Sequence, residues 1–477
     1  MRNVLFLYQA TQTYTNTVFE HLDSFARHSR HRYFFCHQDL ATAFDLELSR
    51  FDAVVIHFSI RLPYDQIAPS TAAALARFIG LKVLFIQDEY DHTRRAWHWI
   101  GELGIQLVFT VVPPAGMQRI YPPDVFPRTR FVNNLTGYVP DELVLKQGVP
   151  APSRRAILIG YRGRPLPIRY GRLGIEKVNI GRMVKSYCDG EELITDIAWS
   201  EESRIYGPNW YRFMTSCRAM LGSESGSNVF DWDGLLSQRI AEFQRLNPRA
   251  SDLEAYEQLV QSQEIDGIMN QVSPRIFEAV AAKTVLVLFE GAYSGVVTEG
   301  EHFIAVKKDG SNLAKVIQLL QDDAYVDAMA NRAYRDVIGS GRYSYSSFVL
   351  SVDDEIDASV EALSRRIFNR RSDSSQEDFA ASPATPSSEG APPAMAIPTP
   401  DVALHVSAGD DAPLHLTTRP IRARPPRPSP NSMVTTIAGA VGARDLSWRV
   451  AVYCWWRLPG PTRNWLRPRL KSLLGRS

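Results

Sequence analysis

The sequence predicts an α/β chain of two Rossmann-like, doubly wound domains, followed by a Pro-rich linker and a short basic tail. Three observations lead there. The chain has 477 residues, more than one hydrophobic core usually organises. Residues 1–148 alternate short apolar runs with amphipathic stretches, and the rhythm restarts after Pro150 and Pro152. Near residue 369 the composition changes, and twelve of the thirty prolines fall between Pro383 and Pro430.

In the first domain the apolar runs are Val4–Leu7, Tyr33–Cys36, Ala53–Phe58, Val83–Ile86, Leu107–Val111 and Arg130–Val132. They are short and not strictly alternating, which is how strands buried on both faces of a parallel sheet read. Between them Val18, Leu22, Phe25 and Ala26 share a helical face, and Ser70–Phe78 is a second, Ala-rich helix. The second domain, 149–368, has strands at Ala156–Ile159, Leu193–Ala198, Ala219–Leu221, Thr284–Phe289 and Phe303–Val306. Its helices are predicted over Leu235–Leu246, Leu253–Ser262, Leu313–Leu320, Val326–Val337 and Ser346–Phe368, with one more beginning at Ser273. Residues 369–444, rich in Pro, Ser, Ala and Thr, bury too little apolar surface to offset ordering entropy and read as a disordered linker. Residues 445–477 interleave Trp448, Tyr453, Trp455, Trp456 and Trp465 with Arg457, Arg463, Arg467, Arg469, Lys471 and Arg476. That pattern suits an anionic membrane surface. A partner-bound or unordered tail is the alternative, because Pro459, Pro461 and Pro468 interrupt any long helix.

Composition excludes several classes of function. A net charge of +1 gives no polycationic face for nucleic acid. Cys36, Cys188, Cys217 and Cys454 form no CxxC pair and no metal-ligand spacing, which argues for a reducing cytoplasm. The start of the chain lacks the apolar core of a signal peptide, and no run approaches the roughly 20 apolar residues of a membrane span. The expected location is therefore cytoplasmic, with peripheral attachment at the inner face of the membrane through the tail.

The stretch from Ser273 to Phe289, SPRIFEAVAAKTVLVLF, carries the most chemistry. Ser273 suits an N-cap and Pro274 the first helical position. Phe277, Val280 and Ala281 can face a core, while Arg275 and Glu278 lie together near the helix start. A helix N-terminus offers free N–H groups to a diphosphate, and a carboxylate one turn further in can accept both hydroxyls of a ribose. Together these make half a site for a nucleotide sugar. The plain alternative is a surface ion pair between Arg275 and Glu278.

This stretch resembles the donor-binding segment of glycosyltransferases of the two-domain GT-B fold, closest to the CgeB-like and family-4-like groups. Gly300–Val306 and Lys308–Leu313 resemble that family's later strand and helix. The resemblance implies a first domain holding the acceptor and a second holding the donor. It gives Glu278 the role of binding the donor ribose. It further implies transfer of a hexose without bound metal and with retention, in bacterial surface polysaccharide synthesis. The acceptor would be a glycan or a lipid-linked sugar. The nucleotide sugar is a substrate, and no cofactor is implied. Where family-4 enzymes often carry a second acid, eight positions before Glu278, this chain has Asn270.

Other candidates lie in loops. Arg162 and Arg164, in the loop Gly160–Pro165, can neutralise a leaving diphosphate, or merely decorate a solvated turn. Glu224, in the small-residue stretch Gly222–Gly234, can bond sugar hydroxyls. Asp231 and Asp233 there superficially match a metal-binding DxD, with helix capping and sugar contacts the favoured reading. Asp88 and Glu89 follow a strand and can orient an acceptor hydroxyl or take its proton, or cap the next helix. His57 closes another strand, where a lone histidine is more often structural. Rival readings of the whole chain are a sugar-nucleotide epimerase and a catalytically idle scaffold that binds glycan or a protein.

Overall fold

The computed structural model describes residues 1–10, 16–41, 43–139 and 149–380. The first lobe runs β1 (Asn3–Tyr8), α1 (Asn16–His28), β2 (Arg32–His37), β3 (Ala53–Ile56), α2 (Pro69–Arg77), β4 (Leu81–Ile86), α3 (Thr93–Glu102), β5 (Leu107–Thr110), α4 (Met117–Ile120) and β6 (Arg130–Asn133). The second runs β7 (Ile157–Arg162), α5 (Gly171–Gly190), β8 (Thr195–Ala198), α6 (Pro208–Ser216), β9 (Cys217–Gly222), α7 (Leu236–Leu246), α8 (Asp252–Leu259), α9 (Pro274–Ala281), β10 (Val285–Phe289), β11 (Phe303–Val306), α10 (Leu313–Gln321), α11 (Asp323–Ala333) and α12 (Tyr345–Ala380). The linker expected over 369–444 does not begin at 369, because α12 continues to Ala380; its remainder, 381–444, and the basic tail lie outside the described residues. Among the described residues no helix is long and apolar enough to cross a membrane.

Both sheets are parallel. Their orders are β2-β1-β3-β4-β5-β6 and β8-β7-β9-β10-β11, each reversing beside its first strand. This is the doubly wound topology twice over, in the two-lobed GT-B arrangement. It explains why the strands read as unbroken apolar runs: β3, β4, β5 and β10 are buried at every position. Ligands of such sheets sit beyond the strand C-termini at the reversal, which fixes where a site can form in each lobe.

α12 does not stay with the second lobe. Tyr345, Phe348, Val349, Val352 and Ile356 join Val4, Phe6, Phe25, Val55 and Phe85 in one buried cluster on the first sheet. The return is pinned where Val139 N–H donates to Tyr343 O (2.8 Å) and Tyr345 N–H to Val139 O (3.2 Å). A second crossing comes from the long connection between β9 and α9. Phe230, Ile268 and Met269 enter the core of the first lobe. Asp231 N–H bonds Tyr90 O (2.8 Å), Arg94 N–H bonds Trp232 O (3.0 Å), and Asp233 pairs with Arg94 (2.6 Å). Asp231 accepts from Leu236 N–H at the start of α7 (3.2 Å). The two aspartates of the DxD stretch thus serve a cap and an inter-lobe pair.

Candidate functional site

α9 is built as its sequence suggests. Pro274 occupies its first turn, and Ile276, Phe277, Ala279, Val280 and Ala281 are buried. Ser273 sits at the N-cap with extended backbone but makes no side-chain cap bond, and the residue lines a pocket with Arg275, Tyr161 and Trp210. The helix start stands beside the C-termini of β7 and β9, at the reversal of the second sheet. From the other lobe Gly137 lies flat on Pro274; a Cβ there would stand 3.0 Å from the proline ring.

Glu278 and Arg275 do not pair with each other. Glu278 Oε2 accepts the indole N–H of Trp210 (2.8 Å), and burial pushes its carboxyl above the usual range against the pull of that bond and of Arg275. Arg275 donates to the backbone oxygen of Arg162 (2.6 Å) and lies 5.4 Å from the centre of the Trp210 ring.

Lys177, on α5, was missed by sequence reasoning. It bonds Ser225 Oγ (2.9 Å) and the backbone oxygen of Glu224 (3.3 Å). Burial and the nearby Arg275 guanidinium bring its pKa down to about 8. Its neighbour Glu176 is engaged by Lys308 (2.5 Å). Lys177 and Arg275 thus lie near enough for one charge to lower the pKa of the other, and no carboxylate is bonded to either.

The loop arginines divide. β7 extends through Arg162, so the expected loop is shorter than the sequence suggested. The Arg162 guanidinium bonds Ser203 O, Tyr161 O, Asp196 O and the Asp196 carboxylate, and covers the ring of Phe213 at 4.2 Å. It ties the sheet edge together, with four of its five N–H groups engaged there. Gly160 serves packing, since a Cβ there would meet Cys217 Sγ at 2.4 Å. Arg164 is exposed on the loop that follows. Glu224 is 2% exposed, and both its oxygens are taken, by Tyr293 N–H (2.8 Å) and by the side-chain amide of Asn270. It holds the loop after β9 to the segments before α9 and after β10.

Across the cleft, of the two carboxylates after β4 only Asp88 reaches solvent. Its side chain is half exposed, accepts Tyr90 Oη–H (2.6 Å) and lies 3.9 Å from Arg61. Glu89 is 1% exposed; Oε1 accepts from Thr110 and from Val111 N–H (3.2 Å), while Oε2 is buried without a partner. Burial raises its pKa to about 8. His57 is fully buried, with Nε2 3.1 Å from His21 Nδ1 and Nδ1 2.8 Å from Ser59 Oγ, so it belongs to the interior of the lobe. Among the described residues, five of the seven non-glycine positions with positive φ are Asp65, Asp88, His92, Tyr293 and Ser294, in loops following β3, β4 and β10. Backbone strain of this kind gathers at binding sites.

No family model matches the sequence, and no curated protein does. The resemblance to the CgeB-like and family-4-like groups therefore rests on the residues already named. Among solved structures, an alpha-glucosyltransferase in complex with UDP and a 13-mer DNA is 10% identical, with a TM-score of 0.44 over 74% of this chain and 99% of that one. HepE of Anabaena, in complex with UDP and glucose, is 11% identical, with a TM-score of 0.39 over 75% and 100%. The pneumococcal O-GlcNAc transferase GtfA, in complex with UDP and GlcNAc, is 12% identical, with a TM-score of 0.34; the match covers 65% of this chain and 57% of that one.

Proposed function

We propose that the protein is a glycosyltransferase that moves a hexose from a nucleoside-diphosphate donor to a hydroxyl of a glycan or lipid-linked acceptor. The observation that carries this reading is the convergence of Lys177, Arg275, the start of α9 and Glu278 at the reversal of the second sheet. Glu278 accepts the ribose hydroxyls. Lys177, Arg275 and the helix N-terminus hold the diphosphate, and Arg164 approaches it from the loop after β7. Ser273, with its hydroxyl free of capping, is a further donor ligand. The two solved neighbours bound to both UDP and a sugar support a UDP-sugar as the first donor to try.

In the transfer an acceptor oxygen bonds the anomeric carbon as the bond to the β-phosphate oxygen breaks. The nucleoside diphosphate leaves with the electron pair. Its charge is met by Lys177 and Arg275 rather than by a metal. Asp88, facing the cleft from the first lobe, orients the acceptor hydroxyl and receives its proton, directly or through the leaving group. Glu89 and Glu224 hold the loops that carry these groups. Family resemblance favours retention and a setting in bacterial surface polysaccharide synthesis, with the tail keeping the enzyme at the inner face of the membrane.

Calorimetry with UDP, GDP and ADP on the wild type and on Glu278→Ala tests the core of this reading. One nucleotide should bind the wild type in the micromolar range and lose at least tenfold on the variant, as expected for removing an acceptor of two hydroxyls. A wild-type protein that binds none of the three at millimolar concentration would falsify it. Truncation after residue 368 should keep turnover on a free acceptor and lower recovery with membranes; unchanged recovery removes the role of the tail.

A further inference from the structure

The group already bonded to Glu278 is Trp210, and it is an unusual choice for a purely structural anchor. An indole N–H is a donor and nothing else. It therefore makes on Glu278 Oε2 the same kind of bond a ribose hydroxyl would make. Trp210 is also placed to yield. It stands in the first turn of α6, whose later residues Phe213 and Met214 are buried and fixed. The helix is entered through Gly207, at φ +62, with open space where its Cβ would be. Tyr206 just before it is 62% exposed. The Trp210 ring is half-buried, lies against Phe213 (centroids 5.7 Å, planes 30° apart) and has the Arg275 guanidinium near it. Side by side are thus a ribose-type acceptor, an anion-holding arginine and a broad aromatic face, which is the surface a nucleoside diphosphate needs.

We infer that Trp210 is the nucleobase-side residue of the donor site, and that its indole N–H keeps the place of the ribose hydroxyls on Glu278 until nucleotide binds. The inference rests on the donor site proposed above. On binding, the ribose takes over Oε2, the indole turns out by rotation within the first turn of α6, and the ring stacks on the base. Glu278 is reached only after this exchange, whereas Arg275 is exposed already, so Trp210 sets the requirement for an intact ribose and the affinity that goes with it.

The test is nucleotide binding to the full chain, with UDP, GDP, ADP and the 2′,3′-dideoxy form of each, on wild type, Trp210→Phe and Trp210→Ala. Phenylalanine keeps a stacking ring and removes the competing N–H. Trp210→Phe should bind the preferred ribonucleotide roughly tenfold more tightly than wild type. It should gain little for the dideoxy form, which has no hydroxyl to offer Glu278. Trp210→Ala should bind more weakly than Trp210→Phe because the ring is gone. Equal affinities of wild type and Trp210→Phe, or an equal gain with the dideoxy ligand, overturn the inference and leave the donor site standing. No binding by wild type or Trp210→Phe overturns both. If the variants do not fold, a structure of the wild type with nucleotide decides. An Nε1–Oε2 separation beyond hydrogen-bond range upholds the exchange, and a retained 2.8 Å contact refutes it.

Discussion

Arg169, at the entry to α5, grips both carboxylate oxygens of Asp91, which follows β4 in the other lobe. One of the two bonds is Nη2 to Oδ2 at 3.2 Å, and Tyr64 Oη donates to the same Oδ2 at 2.6 Å. The Asp91 side chain is 3% exposed and that of Arg169 19%, so the pair is held largely out of water. It is a polar tie between the lobes, alongside the Arg94–Asp233 pair.

Removing one partner strands the other. Arg169→Ala leaves Asp91 buried with only Tyr64, and should cost about 3–5 kcal/mol in denaturant unfolding. The double variant Arg169→Gln/Asp91→Asn, which has no charge to strand, should recover part of that loss. A single variant as stable as wild type would show that the pair adds nothing.

Nucleotide affinity should depend on pH through Lys177. Its pKa in the empty protein is about 8, below that of a free lysine, so the cation is lost as pH rises through that value. Affinity should therefore weaken from pH 7 to pH 9, and Lys177→Met should bind weakly with a flat profile. Unfolding measured without ligand runs the other way. The unfolded chain keeps the proton up to the ordinary lysine range, so stability contributed by this group rises between about pH 8 and 10.5. A steep affinity profile in the methionine variant would assign the dependence to another group.

Glu89 predicts the opposite trend. Its folded pKa is raised, so the folded state holds a proton that the unfolded state has released, and stability falls as pH climbs from 4.5 towards 8. Glu89→Gln cannot ionise. It should melt higher than wild type at pH 8 and differ little at pH 5. The same advantage at both values would mean that packing, not charge, separates the two.

The His21–His57 pair should mark the acid limit. Burial holds both rings neutral, with His21 down to about 3 and His57 also well below the usual histidine range. The unfolded chain takes up protons near 6.5, so stability is lost as pH falls below that value. The variant His21→Gln/His57→Gln should show a shallower decline between pH 6.5 and 5 in denaturant titrations. An unchanged slope would place the acid sensitivity elsewhere.

Much of the frame was legible because parallel strands buried on both faces leave unbroken apolar runs. VVI, VLFI and VLVLF mark β3, β4 and β10. α9 was legible from Ser273, Pro274 and the spacing of its apolar residues. α5 was not. It contains Gly171, Gly174, Gly181 and Gly190, which lower helix propensity, and its buried residues do not form one stripe. Lys177 was lost with it, although a lysine among Leu173, Val178 and Ile180 was a signal in its own right. α6 is short and crowded with Trp210, Tyr211 and Phe213, so the residue that covers Glu278 was also unassigned. For Arg162 and Glu224 the residue type was informative and the destination was not. Whether a guanidinium meets a phosphate or the carbonyls of its own sheet edge depends on contacts distant in sequence, here Asp196 and Ser203.

The return of α12 to the first sheet bears on how the protein is made. The six strands of the first lobe leave the ribosome early, but Val4, Phe6, Phe25 and Phe85 stay uncovered until Phe348, Val349, Val352 and Ile356 have been synthesised. The nascent first lobe must wait, with an apolar face open to other chains, while the whole second sheet is translated. The first core is then completed by α12, translated after the second sheet.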